Sequence, residues 1–207
     1  MLSPCRILAL GDSYTIGEKV GIAERWPMLL VARLRAHGIV ADDPMVIAMT
    51  GWTTDELSAA IDRADPKGPF DCVTLLIGVN NQYRGRGVDE YRIQFRELLM
   101  RAITFAGGNA LHVIVVSIPD WGVMPFAEGR DRAAIARDID AFNAVNYEES
   151  QRAGTHYVDV TPISRRAAID PALIAEDGLH PSGAQYAAWT DLIEPVALSI
   201  LNHAEQP

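Results

Sequence analysis

The chain has 207 residues, 49% of them hydrophobic and 22% charged, and its 18 basic and 27 acidic side chains give a formal net charge of −9. This length favours one domain over two, taken here as residues 1–207, and the composition excludes a disordered chain. An acidic protein repels the phosphates of nucleic acids and of anionic lipids, so we expect neither a nucleic-acid partner nor stable membrane association.

The first residues show no targeting signal. Residues 7–10 are apolar but lead directly to Asp12, so they are too short for a signal-peptide core. The longest uncharged stretch, residues 102–119, is interrupted by Gly107 and Gly108 and does not predict a membrane span. We therefore expect a cytoplasmic protein, and the oligomeric state is left open.

Apolar runs rich in valine, isoleucine and leucine alternate with helical patterns along the chain. In chain order they predict a strand at 6–10, a helix at 26–36, a strand at 45–49, a helix at 54–64, a strand at 72–77, a helix at 88–106, a strand at 111–118, a helix at 131–153, a strand at 157–160 and a last helix from Ser182. Continuous apolar strands of this kind are typical of strands buried on both faces. The alternation predicts an α/β fold with a parallel sheet between layers of helices.

Helix start and stop signals sharpen two of these predictions. Thr53 with Glu56, and Ser182 with Gln185, have the spacing of capping boxes at helix starts. Pro195 lies inside the last helical pattern, and we expect it to bend or interrupt that helix.

Glycine and polar residues follow each predicted strand. They occupy residues 11–14, 50–52, 78–81 and 119–121 after the first four strands, and residues 177–181 in a longer segment after the fifth. The carboxyl ends of parallel strands share one edge of the sheet, which is where ligands bind in folds of this class. The sequence therefore predicts a functional site at that edge.

Ser13, Asp177 and His180 are the residue types of a nucleophilic triad. A serine hydroxyl attacks a carbonyl well only when a base takes its proton and a third group orients that base. The spacing of Asp177 and His180 can place a carboxylate against one imidazole nitrogen while the other points outward. Candidate donors to a developing oxyanion are the N–H groups of Ser13 and Gly51 and the side-chain amide of Asn80.

Four short motifs in this order resemble the SGNH hydrolase superfamily, also called GDSL hydrolases. They are Gly11-Asp12-Ser13, Gly51 after the second strand, Gly78-Val79-Asn80, and Asp177-Gly178-Leu179-His180. The resemblance implies Ser13 as nucleophile, His180 as general base and Asp177 as its orienting group. It also implies an oxyanion hole of Ser13, Gly51 and Asn80. The implied fold is a flavodoxin-like, three-layer α/β/α sandwich with a five-stranded parallel sheet in the order 2-1-3-4-5, and no metal or organic cofactor is implied.

Two positions depart from the family pattern. Tyr14 stands where the name-giving motif usually has leucine, and Asn81 stands where the third motif often has aspartate. Neither belongs to the implied triad, but both weaken any analogy with familiar lipases. The roles of Asn81, Arg84 and Arg86 are left open.

Structural explanations compete with these functional ones. Taken singly, Ser13 fits a turn, Gly51 a turn and Asn80 a helix cap, and only the combination with Asp177 and His180 favours catalysis. Two alternatives come from other classes. One is a flavodoxin-like module that holds flavin or phosphate at residues 13–15, which has no use for Asp177 and His180. The other is an interaction domain with a vestigial site.

Residues 120–126 form a short apolar segment after the fourth strand. Trp121 and Phe126 either cover the end of the sheet or wall a small substrate pocket, and Gly122 and Pro125 limit any helix there. A small pocket predicts a serine esterase for small, short-acyl carboxylic esters that acts through an acyl-enzyme. O-deacetylation of carbohydrates or hydrolysis of thioesters is the alternative that the same site would serve.

Overall fold

The computed structural model describes residues 3–203. Five parallel strands form one sheet: β1 (Ile7–Gly11), β2 (Met45–Ala48), β3 (Cys72–Leu76), β4 (Val113–Val116) and β5 (His156–Val158). Their order is β2-β1-β3-β4-β5, which confirms the predicted 2-1-3-4-5 topology and the α/β class.

Helices connect and cover the strands. In the described chain they are α1 (Ser13–Ile16), α2 (Trp26–Ala36), α3 (Thr54–Ala64), α4 (Val79–Tyr83), α5 (Val88–Phe105), α6 (Arg132–Ala153), α7 (Thr161–Arg165) and α8 (Gly183–His203). Short 3₁₀ turns include Trp121–Val123 and Pro125–Ala127, where the sequence predicts a loop. The short helices α1, α4 and α7 were not predicted. No helix within residues 3–203 is long and apolar enough to cross a membrane.

The core lies on both faces of the sheet. Strands β1, β3 and β4 are buried along their whole length, which requires helices on both sides. Helix α2 packs on α8, and α5 packs against α3 and α6. The prediction of full burial is wrong for the edge strand β2, because Met45 and Val46 each have only one neighbouring strand and stay more than a third exposed.

The strand register aligns the carboxyl ends of the three strands that precede the predicted site segments. Gly11 at the end of β1 lies beside Ala48 of β2 on one side and Leu76 of β3 on the other. The segments that follow these three strands therefore leave the sheet at the same level. This brings the neighbourhoods of residues 13, 51 and 80 to one place.

The predicted capping boxes form to different degrees. Glu56 accepts the backbone N–H of Thr53 at 2.9 Å, as the pattern predicts. At the start of α8, Ser182 Oγ accepts the N–H of Gln185 at 3.3 Å, but the Gln185 amide donates to the carbonyl of Leu173 at 2.8 Å rather than back to the cap. The second box is thus half formed.

Of the two effects expected at Pro195, a bend or an interruption, the interruption is wrong, since α8 continues through it. Proline removes the N–H that would bond to the carbonyl of Asp191. Both residues are exposed, so water can satisfy that carbonyl, while Ile193 and Ala197 on the opposite side of the helix are buried in the core. Packing of the buried face outweighs one lost hydrogen bond.

Candidate active site

Ser13 begins helix α1 directly beyond the end of β1. Asp12 is the N-cap, and its Oδ1 accepts the N–H of Tyr14 at 3.0 Å. A Cβ at Gly11 would overlap the Leu76 carbonyl oxygen and the Thr15 hydroxyl, so only glycine allows this close approach of strand and turn. The tight connection places Ser13 at the carboxyl edge of the sheet with 5% of its surface exposed.

Tyr14 and Thr15 offer little accessible surface to a flavin or a phosphate. Both are buried, at 2% and 0% exposure, and the Tyr14 carbonyl accepts the indole N–H of Trp26 at 3.1 Å. A phosphate-binding loop needs accessible donors, and these two side chains expose almost none of their surface. The alternative of a flavin or phosphate module at residues 13–15 therefore has little support from their positions.

Asp12 is a fully buried carboxyl group next to Ser13. Its Oδ2 has no hydrogen-bond partner within the described residues. Burial raises the pKa of Asp12 to about 7, against the lowering effect of backbone hydrogen bonds, including the one from Tyr14. The neutral acid is the form that this site favours below that pH.

This pKa predicts a pH-dependent stability. Between the ordinary pKa of aspartate and about 7, unfolding releases the Asp12 proton, so stability falls as pH rises. The free energy of unfolding of Asp12→Asn, taken relative to that of wild type, is therefore expected to be larger at pH 8 than at pH 4.5. A tenfold change in proton affinity is about 1.4 kcal/mol, so the gain is on the order of a few kcal/mol.

Urea unfolding at both pH values measures this difference. Asp131→Asn, at the exposed N-cap of α6, is the matched control for replacing a capping aspartate. Parallel stability curves for wild type and Asp12→Asn would show that Asp12 is not held neutral in the fold.

Asp177 and His180 are joined by a short hydrogen bond. His180 Nδ1 lies 2.6 Å from Asp177 Oδ2, and Asp177 Oδ1 accepts the N–H groups of Leu179 and His180, each at 3.0 Å. Burial would raise the pKa of Asp177, but these hydrogen bonds outweigh it and lower the pKa below its usual value. Because a carboxylate only accepts, Nδ1 carries the proton and Nε2 is left as the basic nitrogen.

Packing also fixes the imidazole. His180 is 6% exposed, and the edge of the Tyr14 ring contacts it with the ring centroids 5.8 Å apart. Tyr14, which replaces the usual leucine, thus forms one wall beside the imidazole.

Gly51 and Asn80 approach the same region from β2 and β3. Gly51 has a φ of +84°, in a turn that Trp52 N–H closes onto the carbonyl of Met49 at 3.3 Å. Asn80 lies in α4, and its Nδ2 donates to the carbonyl of Trp52 at 2.9 Å. This bond orients the amide and leaves its second N–H available to another acceptor.

Asn81 has a structural role that the sequence left open. Its Oδ1 accepts the N–H of Thr54 at 3.1 Å and its Nδ2 donates to Thr54 Oγ1 at 2.7 Å. Both groups are buried, and they tie α4 to the start of α3. The amide of asparagine supplies a donor and an acceptor here, whereas an ionised aspartate would only accept.

One cavity of about 170 Å³ joins these groups. Its lining consists of Ser13, Tyr14, Thr50, Gly51, Val79, Asn80, Tyr83, Trp121, Phe126, Leu179 and His180. The structure therefore brings together six of the seven predicted site residues, and the seventh, Asp177, contacts His180. No hydrogen bond joins Ser13 to the imidazole among the described side chains. A hydroxyl, an imidazole held by a carboxylate, and nearby amide groups are the groups that acyl transfer requires.

Aromatic side chains form the outer wall of the cavity. Trp121 is 3% exposed, and its Nε1 donates to Gln82 Oε1 at 2.9 Å. The ring of Tyr83 lies 5.4 Å from that of Trp121, and Phe126 lies 6.1 Å from it. The sequence reasoning missed Tyr83, although it stands three residues after Asn80, a spacing that places both on one side of a helix.

Comparison with known proteins gives a family. The model of the GDSL-like lipase/acylhydrolase family matches residues 9–188. No curated protein matches the sequence.

Solved structures resemble the whole fold at low sequence identity. TesA is 18% identical over 95% of this chain and 99% of its own, with a TM-score of 0.74. The W215I variant of Axe2, an acetyl xylan esterase from Geobacillus stearothermophilus, is 20% identical over 94% and 95%, with a TM-score of 0.73. The esterase EstA from Pseudoalteromonas sp. is 19% identical over 95% and 98%, with a TM-score of 0.66.

At these identities the structural likeness establishes the fold, and the family match establishes the relationship. That match covers most of the chain, from within β1 to within α8. The chain therefore belongs to the GDSL-like lipase/acylhydrolase family, and it is an ester hydrolase of the SGNH superfamily.

Proposed function

We propose that this protein is a serine esterase that hydrolyses small carboxylic esters with short acyl groups through an acyl-enzyme. The observation that carries the proposal is that Ser13, Gly51, Asn80 and His180 line one and the same cavity, with Asp177 hydrogen-bonded to the far side of the imidazole. To these residues we assign the roles of nucleophile, base, orienting group and oxyanion donors.

In the first half-reaction, Ser13 Oγ attacks the ester carbonyl while its proton moves to His180 Nε2. The carbonyl oxygen becomes an oxyanion that accepts hydrogen bonds from the N–H groups of Ser13 and Gly51 and from Asn80 Nδ2. As the tetrahedral intermediate collapses, the C–O bond to the alcohol breaks and His180 protonates the departing oxygen. An acyl group remains on Ser13.

In the second half-reaction, water replaces the alcohol. His180 Nε2 takes one proton from the water as its oxygen attacks the acyl carbonyl, and the same donors hold the oxyanion. Collapse breaks the bond to Ser13 Oγ, which recovers its proton from His180, and the carboxylic acid leaves. Asp177 stays ionised throughout and stabilises the imidazolium, consistent with its lowered pKa.

The aromatic wall supports a preference for short acyl chains. Trp121 is buried and braced by Gln82, while Phe126 closes the outer side of the cavity and is 42% exposed. Each CH₂ that finds apolar cover adds about 0.8 kcal/mol of binding, and one left in water adds nothing. A small cavity therefore rewards the first few carbons of an acyl chain and no more.

The expected result on p-nitrophenyl esters is a maximum of kcat/KM between acetate and butyrate, with a fall for longer chains. Phe126→Ala should flatten this preference while leaving acetate turnover within about threefold, since the change removes one wall and no reacting group. Leu111→Ala, an exposed apolar residue near the start of β4, is the matched control. Rates that keep rising to octanoate would contradict the small-pocket proposal.

Carbohydrate O-deacetylation is the second candidate. The rings of Tyr83 and Phe126 are 46% and 42% exposed where they line the cavity, which leaves apolar ring surface for a sugar that carries the acetyl group. The likeness in fold to an acetyl xylan esterase adds to this candidate. Assays of acetylated xylose and of p-nitrophenyl acetate distinguish a carbohydrate O-deacetylase from a general short-acyl esterase. A deacetylase should have the higher kcat/KM for the sugar ester.

A further inference from the structure

Gly51 lies in a tight turn that lines the cavity. The turn runs from Met49 to Trp52, with Thr50 and Gly51 as its central residues, and Gly51 has a φ of +84°. A positive φ at the third residue distinguishes a type II turn from a type I turn, and the two differ by a flip of the central peptide. The central peptide carries the Gly51 N–H, whereas the Gly51 carbonyl belongs to the next peptide, so a contact with that carbonyl fixes the position of Gly51 at the C-terminal side of the turn.

Side chains from outside hold the turn. Arg84 Nη2 donates to the Gly51 carbonyl at 2.6 Å, and Asn80 Nδ2 donates to the Trp52 carbonyl at 2.9 Å. On the other side, the Thr50 hydroxyl donates to the Glu18 carboxylate. Gly51 has no side chain of its own to anchor it, so its orientation depends on such contacts.

The Arg84 guanidinium bridges two elements. Its Nη1 lies 3.3 Å from Glu56 Oε1, and Glu56 caps the start of α3 through the N–H of Thr53. The planar fork of arginine can hold a carbonyl and a carboxylate at once, which the single ammonium of lysine does less well. Arg84 thus connects the Gly51 carbonyl to a rigid helix start.

We propose that Arg84 is a positioning residue of the oxyanion hole, which holds Gly51 through its carbonyl at the place in the cavity wall where its N–H can serve the developing oxyanion. The inference rests on the proposed esterase function. Arg84 does not itself line the cavity, and its guanidinium is engaged by Gly51 and Glu56 rather than free for an anionic substrate.

Because the contact between Arg84 and Glu56 is exposed, an effect of Arg84 on catalysis can be measured without a large effect on the stability of the fold. The Arg84 and Glu56 side chains are 42% and 40% exposed, and ion pairs at such positions contribute little to folding. Removal of Arg84 should therefore leave the protein folded and act on the turn alone. Misplacement of one oxyanion donor affects the transition state more than the bound ester.

Arg84→Ala is expected to lower kcat for p-nitrophenyl acetate by about 10-fold with KM within about twofold, since one donor is misplaced but not deleted. Arg84→Lys should recover part of that loss, and added guanidinium ion should partly rescue Arg84→Ala. Arg86→Ala is the matched control. Arg86 pairs with Asp55 at 2.6 Å, and Asp55 lies in α3 beside Glu56, but Arg86 does not contact Gly51.

Equal kcat in Arg84→Ala and Arg86→Ala, or a loss confined to KM, would overturn the positioning role while leaving the esterase assignment intact. If Arg84→Ala does not fold, Arg84→Lys is compared with Arg86→Ala instead. A reduced kcat in Arg84→Lys that added guanidinium ion partly restores supports the role, and a wild-type kcat in that variant counts against it. A wild-type protein without esterase activity would overturn the proposed function and this inference together.

Discussion

Ser13→Ala is expected to reduce kcat for p-nitrophenyl acetate by about 10⁴-fold or more, because removal of a triad nucleophile leaves only the catalysis that binding and the oxyanion donors supply. Ser13 lines the cavity at the start of α1, and within residues 3–203 its hydroxyl makes no hydrogen bond to another element. The loss should therefore fall on the chemical step, and steady-state kinetics measures it directly.

The control for this variant is the fold itself. Alanine suits a helix, so thermal unfolding and circular dichroism of Ser13→Ala should match those of wild type. A variant that keeps more than a few per cent of wild-type kcat would exclude Ser13 as the nucleophile. If esterase activity and protein elute together in the wild-type preparation, the measured activity belongs to this protein and not to a contaminating esterase.

Asn80→Ala is expected to lower kcat by about 10²–10³ with KM nearly unchanged, the usual result of deleting one oxyanion donor. The Asn80 amide is already oriented by the Trp52 carbonyl at 2.9 Å, so its remaining N–H is aligned before substrate arrives. Such a donor acts mainly on the charge that develops in the transition state. The same kinetic assay separates kcat from KM.

Asn80→Asp sharpens the result, because it keeps the size of the side chain but replaces the donor with an acceptor. We expect it to be at least as impaired as Asn80→Ala. A change in KM alone for either variant would make Asn80 a substrate-binding residue rather than a transition-state donor.

Elements with strong local signals were predictable from the sequence. Helices α2 and α3 have their predicted bounds, since a proline near the first turn and a capping box mark their starts. The sheet order followed from the family resemblance. The site segments could be placed because each comes directly after a strand, and the register of Gly11 with Ala48 and Leu76 brings them level.

The features that the sequence did not reveal have two causes: some elements are too short to show a pattern, and some contacts join distant parts of the chain. Helices α1 and α4 have four and five residues, too few for a hydrophobic period to reveal them. The contact of Arg84 with Gly51 joins residues 33 positions apart and needs a specific side-chain conformation. Pro195 does not interrupt α8, because solvation of one helix face is a property of the packed molecule that the sequence alone does not show.

The central claim, that Ser13 is the covalent nucleophile in the cavity, is tested most directly by a p-nitrophenyl alkylphosphonate. Attack by Ser13 Oγ would form a P–O bond and release p-nitrophenolate, and mass spectrometry locates the adduct. We predict one phosphonyl group on the peptide that contains Ser13, loss of esterase activity in proportion to labelling, and no adduct in Ser13→Ala. An adduct on any other residue, or inactivation of Ser13→Ala at the wild-type rate, would contradict the account.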